Sequence, residues 1–210
     1  MECMLAIGGG KADLINLEAG LAYRAFTRFQ MKAIMAERLG NGLAYDAVVV
    51  VNREQCQGNT RLMLQDLKGS RSCHGYYHSS AGWDLPLQAM SAAGVAPPSR
   101  SEGDGVAGAG GGLVVPSPPN DVAYVESFFT SSCAPGFGTD IRICSGCHDE
   151  AEQQGPCDAA DPYAGPVGSF RCLLEGAGDV AFTRTPVVTK YSLGGRLQMP
   201  WSIVPAAEYQ

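Results

Sequence analysis

Residues 143–150 read "ICSGCHDE", in which Cys144, two spacers, Cys147 and His148 make a C-x-x-C-H pattern. That pattern attaches haem in c-type electron carriers. The same residues could instead supply half of a zinc site, or take part in two disulfides. An electron carrier, a metal-stapled module and a secreted binding protein are therefore all open, and the stretch alone does not choose between them.

The rest of the chain narrows the field. At 210 residues it can bury one good core, and 45% hydrophobic content is ordinary for a globular protein. A net charge of −6 without a basic cluster argues against nucleic acid as a partner. No apolar run reaches the roughly 18 residues of a membrane span. The start, "MECMLAIGGGKAD", lacks the basic flank and the apolar length of a signal peptide. Of the eight cysteines, Cys133, Cys144, Cys147, Cys157 and Cys172 fall within 40 residues. Such density suggests disulfides and an oxidising compartment. Disulfides without a signal peptide imply that the chain lacks its native amino terminus.

The elements that must position any site follow from periodicity. "DLINLEAG" (13–20) reads as a strand entering a glycine turn. Ala22, Ala25, Phe26, Phe29 and Ala33 recur at helical spacing, predicting an amphipathic helix over 22–39. "YDAVVVVN" (45–52) has four consecutive valines, as in a strand of a parallel sheet buried on both faces. A short helix is predicted over 59–69. Another starts near the serines of "SSAGWDLPLQAM" (79–90), although Pro86 opposes it unless the helix begins late. Residues 96–120 hold six Gly and five Pro and read as a disordered insertion. A helix over 122–129 and a buried strand in "GDVAF" (178–182) complete an α/β pattern with a parallel or mixed sheet. There is no internal repeat.

Several longer stretches then align with a known family. "YDAVVVV" (45–51), "LKGSRSCHGYYHSSAGWDLP" (67–86), "FFTSSCAPG" (128–136) and "GSFRCLLEGAGDVAF" (168–182) resemble one lobe of a transferrin in order and spacing. "LEAGLAYRA" (17–25), "MKAIMAE" (31–37) and, weakly, "PAAEY" (205–209) extend the resemblance to about 170 residues. It implies a two-domain α/β cleft, like that of periplasmic binding proteins, of which this chain holds mostly one half-lobe. Residues 1–44 would be part of the first subdomain, 45–183 the second, and 184–210 a truncated return to the first. The implied disulfides are Cys73–Cys172, Cys133–Cys147 and Cys144–Cys157, which leaves Cys3 and Cys56 unassigned. Haem and zinc lose ground accordingly, since zinc would want a second C-x-x-C.

Transferrins hold Fe(III) with an Asp, two tyrosinates, a His and a bidentate carbonate. Hard Fe(III) favours anionic oxygen, and a helix N-terminus, a Thr hydroxyl and an Arg fork hold the carbonate. Residue by residue, Tyr45 falls on the first tyrosine and Glu18 on the Asp, its extra methylene moving the carboxylate by roughly 1.5 Å. The second tyrosine position holds Pro166, which cannot bind metal; Tyr163 nearby could serve only with a remodelled loop. No histidine of the chain stands in the His position. Gly75 stands at the Thr position and Ser79 at the Arg position. The backbone N–H groups of Ala81 and Gly82 remain, Ser79 and Ser80 could donate, and His78 could add charge at lower pH. Trp83 reads as core, and His148 as a loop residue. The resemblance implies an extracellular or cell-surface ferric-ion-binding module with carbonate as co-ligand and a receptor or sister lobe as partner. The alternative is a transferrin-fold module for proteins or anions that has lost iron. No enzyme constellation stands out.

Overall fold

The computed structural model describes residues 2–17, 19–36, 45–53, 62–95, 118–136, 141–147 and 157–209. Their sheet has four strands, β1 (Ala47–Val51), β2 (Arg71–Cys73), β3 (Ser131–Cys133) and β4 (Val180–Arg184), in the order β1-β4-β2-β3. β2 runs parallel to both β3 and β4, while β1 is antiparallel to β4 with Val49 opposite Phe182. The valine run therefore forms an antiparallel edge strand rather than a strand within a parallel sheet. Its apolar uniformity still has the expected cause: Val49 and Val51 pack on one face of the sheet, Val48 and Val50 on the other.

Helices cover both faces. On one side α3 (Leu85–Ala92) and α4 (Pro118–Phe128) bury Leu87, Met90, Val122, Val125 and Phe128 against Phe182 and Trp83. On the other, α5 (Gly165–Leu174) and α6 (Thr185–Tyr191) bury Phe170, Leu173 and Val187 against Ala181 and Val50. The result is an open mixed sheet between two helical layers. Phe170 and Phe182 are fully buried, and each contributes roughly 1.5–3 kcal/mol relative to exposure. The Cys73–Cys172 bridge pins α5 to β2 across this core.

The amino-terminal region departs from expectation. Residues 13–17 form no strand, a short helix α1 (Glu2–Gly8) precedes them, and of the predicted 22–39 helix only 22–29 is helical, within α2 (Ala19–Phe29), with 37–39 outside the described residues. Gln30 turns into the left-handed region at φ 55°, where its N–H meets the Phe26 carbonyl and ends α2. The stretch 59–69 narrows to a 3-10 turn at Leu64–Leu67, its first residues lying outside the described ones. α4 starts at Pro118, inside the stretch read as disordered; residues 96–117 of it lie outside the described residues. Near the carboxyl end, Tyr209 packs on Phe170 and bridges Asn52 at the end of β1.

Candidate metal and anion site

Strand directions gather the candidate residues. Tyr45 precedes β1, and because β1 is antiparallel to β4 it stands where β4 ends. β2 is parallel to β4, so the loop after it (His74 onward) leaves at that same edge. The start of α5 is tied there as well: Thr183 Oγ donates to the Pro166 carbonyl at 2.7 Å, and the Gly165 N–H to the Gly75 carbonyl at 3.1 Å. Open α/β sheets bind ligands at this carboxyl edge, where loops rather than strand ladders face the opening. The Arg184 guanidinium lies 5.3 Å from the centre of the Tyr45 ring and holds it at the strand's start.

The loop after β2 builds the candidate anion-site turn. Ser79 is extended (φ −73°, ψ 146°) and opens a π-helical turn, Ser80–Asp84, that runs straight into α3. The first bonded N–H of this helical run is that of Trp83, to the Ser79 carbonyl at 2.9 Å. The N–H groups of Ala81 and Gly82 precede it, so the helix itself makes no use of them. Ser79 Oγ donates to the Tyr76 carbonyl at 2.9 Å, which commits that hydroxyl proton. Pro86, the doubtful residue of the sequence, sits in the first turn of α3, just after the π-helical turn.

That proline also bears on the turn before it. In a regular α-helix residue 86 would bond the Gly82 carbonyl, but Pro86 has no N–H to give. The carbonyl is met instead by His74 Nδ1 at 2.7 Å. On its other side, His74 Nε2 lies 3.0 Å from Ser72 Oγ, which lies 2.8 Å from Ser132 Oγ. A carbonyl only accepts, so Nδ1 carries the proton, Nε2 accepts from Ser72, and Ser72 accepts from Ser132. The imidazole is stacked on Phe182 with centroids 4.9 Å apart and meets Trp83 edge-on at 5.0 Å. Burial pushes its pKa down to about 4, so it is neutral in neutral solution. Sequence reading missed His74; the clue was a proline four residues beyond a glycine that would need another donor.

Other candidate positions lie elsewhere or have changed. Gly75 sits at φ 73°, and a Cβ there would stand 2.5 Å from the Gly165 carbonyl oxygen. Tyr163 is buried beside the Cys73–Cys172 bridge and donates to Glu175 at the carboxyl end of α5, away from Pro166. Burial and that carboxylate push its phenol up to about 12, which opposes the phenolate a ferric ion requires. The fold thus sets Tyr45, Ser79–Gly82 and Pro166 along one edge of the sheet, and turns the Tyr163 ring away from it. Glu18 lies outside the described residues. His78 is buried at φ 61°, its Nδ1 3.6 Å from Asp84 Oδ1, so a charge on it is answered within the turn. Trp83 is core, as read, and its indole N–H donates to buried Asp121 at 3.0 Å.

The cysteines pair as Cys73–Cys172, Cys133–Cys147 and Cys144–Cys157, with Cα separations of 6.1, 4.6 and 5.4 Å. Cys144 and Cys147 therefore carry neither haem thioethers nor zinc thiolates, and His148 lies outside the described residues. Asp161 approaches Cys133 and Cys147, but their sulfurs are joined to each other and offer no thiolate to a metal. Cys3 is an exposed free thiol.

Comparison with known proteins agrees with this architecture. The Transferrin family model matches residues 1–194. Serotransferrin of Gadus morhua is 34% identical over 185 residues, 86% of this chain and 25% of its own length. Ovotransferrin of Gallus gallus is 31% identical over 195 residues, 90% of this chain and 24% of its own. Lactotransferrin of Desmodus rotundus is 33% identical over 195 residues, with the same coverage of each. The chain thus spans about a quarter of the length of these relatives. With an open mixed sheet between helical layers, three disulfides and a family match along most of its length, the chain belongs to the transferrin family.

Proposed function

We propose that the chain is a transferrin-type module that meets ferric ion and carbonate outside the cell, with a depleted site. Tyr45 and the carboxylate of Glu18 are the metal donors of this reading, and the N–H groups of Ala81 and Gly82 receive the anion, aided by Ser80 and, once its hydroxyl leaves the Tyr76 carbonyl, by Ser79. The observation that carries it is the convergence of Tyr45 and the anion-site turn on one sheet edge, in a chain of transferrin descent. Tyr163 would join only with its loop rearranged. The disulfides fit an oxidising, extracellular setting, and a receptor or a sister lobe is the natural partner. Binding is weak in this reading. Pro166 offers no phenolate, and the Arg fork replaced by Ser79 would have contributed roughly 1.5–3 kcal/mol. That is one to two orders of magnitude in anion affinity, at ~1.4 kcal/mol per decade. Titration with ferric nitrilotriacetate in bicarbonate tests it: a tyrosinate charge-transfer band is expected that citrate removes and Tyr45→Phe abolishes. A band that survives both would overturn the assignment.

A second reading is favoured by a specific observation, the Gly165 carbonyl occupying the space a Thr at residue 75 would need. In it the fold has given up iron and serves as an anion- or protein-binding module. No ferric band at all, together with bicarbonate-dependent shifts of the Ala81 and Gly82 amides, would select it.

A further inference from the structure

We infer that His74 is the positioning residue of the anion site, a neutral Nδ1–H imidazole that holds the Gly82 carbonyl and so aims the N–H groups of Ala81 and Gly82 at the ligand. The inference rests on the reading of that turn as an anion site. Its own basis is geometric. His74 bridges the end of β2 to the turn with bonds at both ring nitrogens, 2.7 Å to Gly82 and 3.0 Å to Ser72. Three aromatic rings, Phe182, Trp83 and Phe129, pack around it at 4.9 to 5.8 Å. A Cβ on Gly82 would collide with the His74 carbonyl oxygen, so backbone and ring of one residue contact the same glycine from both sides.

The chemistry explains why a histidine stands here. An anion-binding N–H is worth most when its direction is set before the anion arrives. A π-helical turn followed by a proline lacks one of the bonds that would set it. The imidazole supplies that donor from the end of β2. Ser132 and Ser72 hold the tautomer, since Ser72 must donate to Nε2 for Nδ1 to carry the proton. His74 touches no ligand itself and acts only through Gly82.

Three measurements test this. In the wild-type protein near pH 7, 15N spectra are expected to show Nδ1 of His74 protonated and Nε2 bare; the opposite tautomer overturns the inference, and no variant is needed. Asn can place a donor where Nδ1 stands, whereas Gln reaches only toward Nε2. Amide exchange at Trp83, Asp84 and Leu85 is therefore expected to stay near wild type in His74→Asn and to accelerate at least tenfold in His74→Gln. Bicarbonate titration, followed at the Ala81 and Gly82 amides, is expected to give affinities within threefold of wild type for Asn and at least tenfold weaker for Gln. Shifts that persist unweakened in His74→Gln overturn the role of His74 alone. Absence of any bicarbonate-dependent shift in the wild type overturns the anion site with it.

Discussion

The carbonyl oxygen of Gly165 stands 2.5 Å from where a Cβ on Gly75 would be, and the two residues are joined by a backbone hydrogen bond of 3.1 Å. Gly75 also sits in the left-handed region at φ 73°. A threonine placed at this position therefore meets the Gly165 carbonyl before its hydroxyl can reach an anion. We expect Gly75→Thr to cost about 2–4 kcal/mol, from left-handed strain and overpacking together, with no gain in anion affinity. Urea unfolding and bicarbonate titration of the variant check this. A stable variant that binds more tightly would mean the loop can open.

The buried imidazole makes stability depend on pH. His74 has its pKa lowered by burial from the usual 6.5 to about 4, so the unfolded chain takes up this proton before the native one does. Its contribution is complete above about pH 6.5, declines as pH falls and is gone below about pH 4. The total is about 3 kcal/mol at ~1.4 kcal/mol per unit. Urea midpoints measured between pH 7 and 4 are expected to fall more steeply for wild type than for His74→Asn. Parallel slopes would show that the ring is not held neutral.

At the outer end of β2, Arg71 grips Asp179 through both Nε and Nη2 while its own N–H bonds the same carboxylate at 2.9 Å. The guanidinium holds the Asp179 carboxyl below its usual range, chiefly through the side-chain bond. The pair's contribution is present above the ordinary carboxylate pKa and lost as pH falls through the lowered one. The Arg71 side chain is 45% exposed, so solvent screening keeps the contribution small. We expect Asp179→Asn to cost about 0.5–1 kcal/mol at pH 7, less in high salt. Thermal unfolding at two ionic strengths measures it.

The disulfides differ in the length of chain they close. Cys73 and Cys172 are 99 residues apart, whereas Cys144 and Cys157 are separated by 13. Chain entropy predicts a loss of about 4–5 kcal/mol for Cys73→Ala/Cys172→Ala and about 3 kcal/mol for the shorter loop. Denaturant unfolding of the two double variants compares them directly. Equal losses would show that strain or packing, not loop closure, governs these bridges.

The sequence by itself determined what short-range chemistry and composition can carry. A run of four valines and the apolar "VAF" mark strands, and both are strands, the second buried and the first buried at Val50 and Val51. Eight cysteines in a chain with long transferrin-like motifs indicated disulfides in place of haem or zinc. Pro166, at the residue where the resemblance sets a second tyrosine, offers no phenolate, since no fold can make a pyrrolidine ring bind iron. What the sequence could not settle depends on partners distant along the chain. Whether the valine strand runs parallel or antiparallel, and that it lies at an edge, was decided by which strand closes on it, β4, over 130 residues later. The 22–39 periodicity overran because helical spacing does not reveal where Gln30 turns left-handed. Tyr163 looked available on a loop, yet its ring is buried and its hydroxyl is turned to Glu175 by the packing of α5. His74 was silent in the sequence for the same reason. Its role arises only where β2, a π-helical turn and a proline without an N–H are folded against one another, and the imidazole at the end of β2 meets the Gly82 carbonyl.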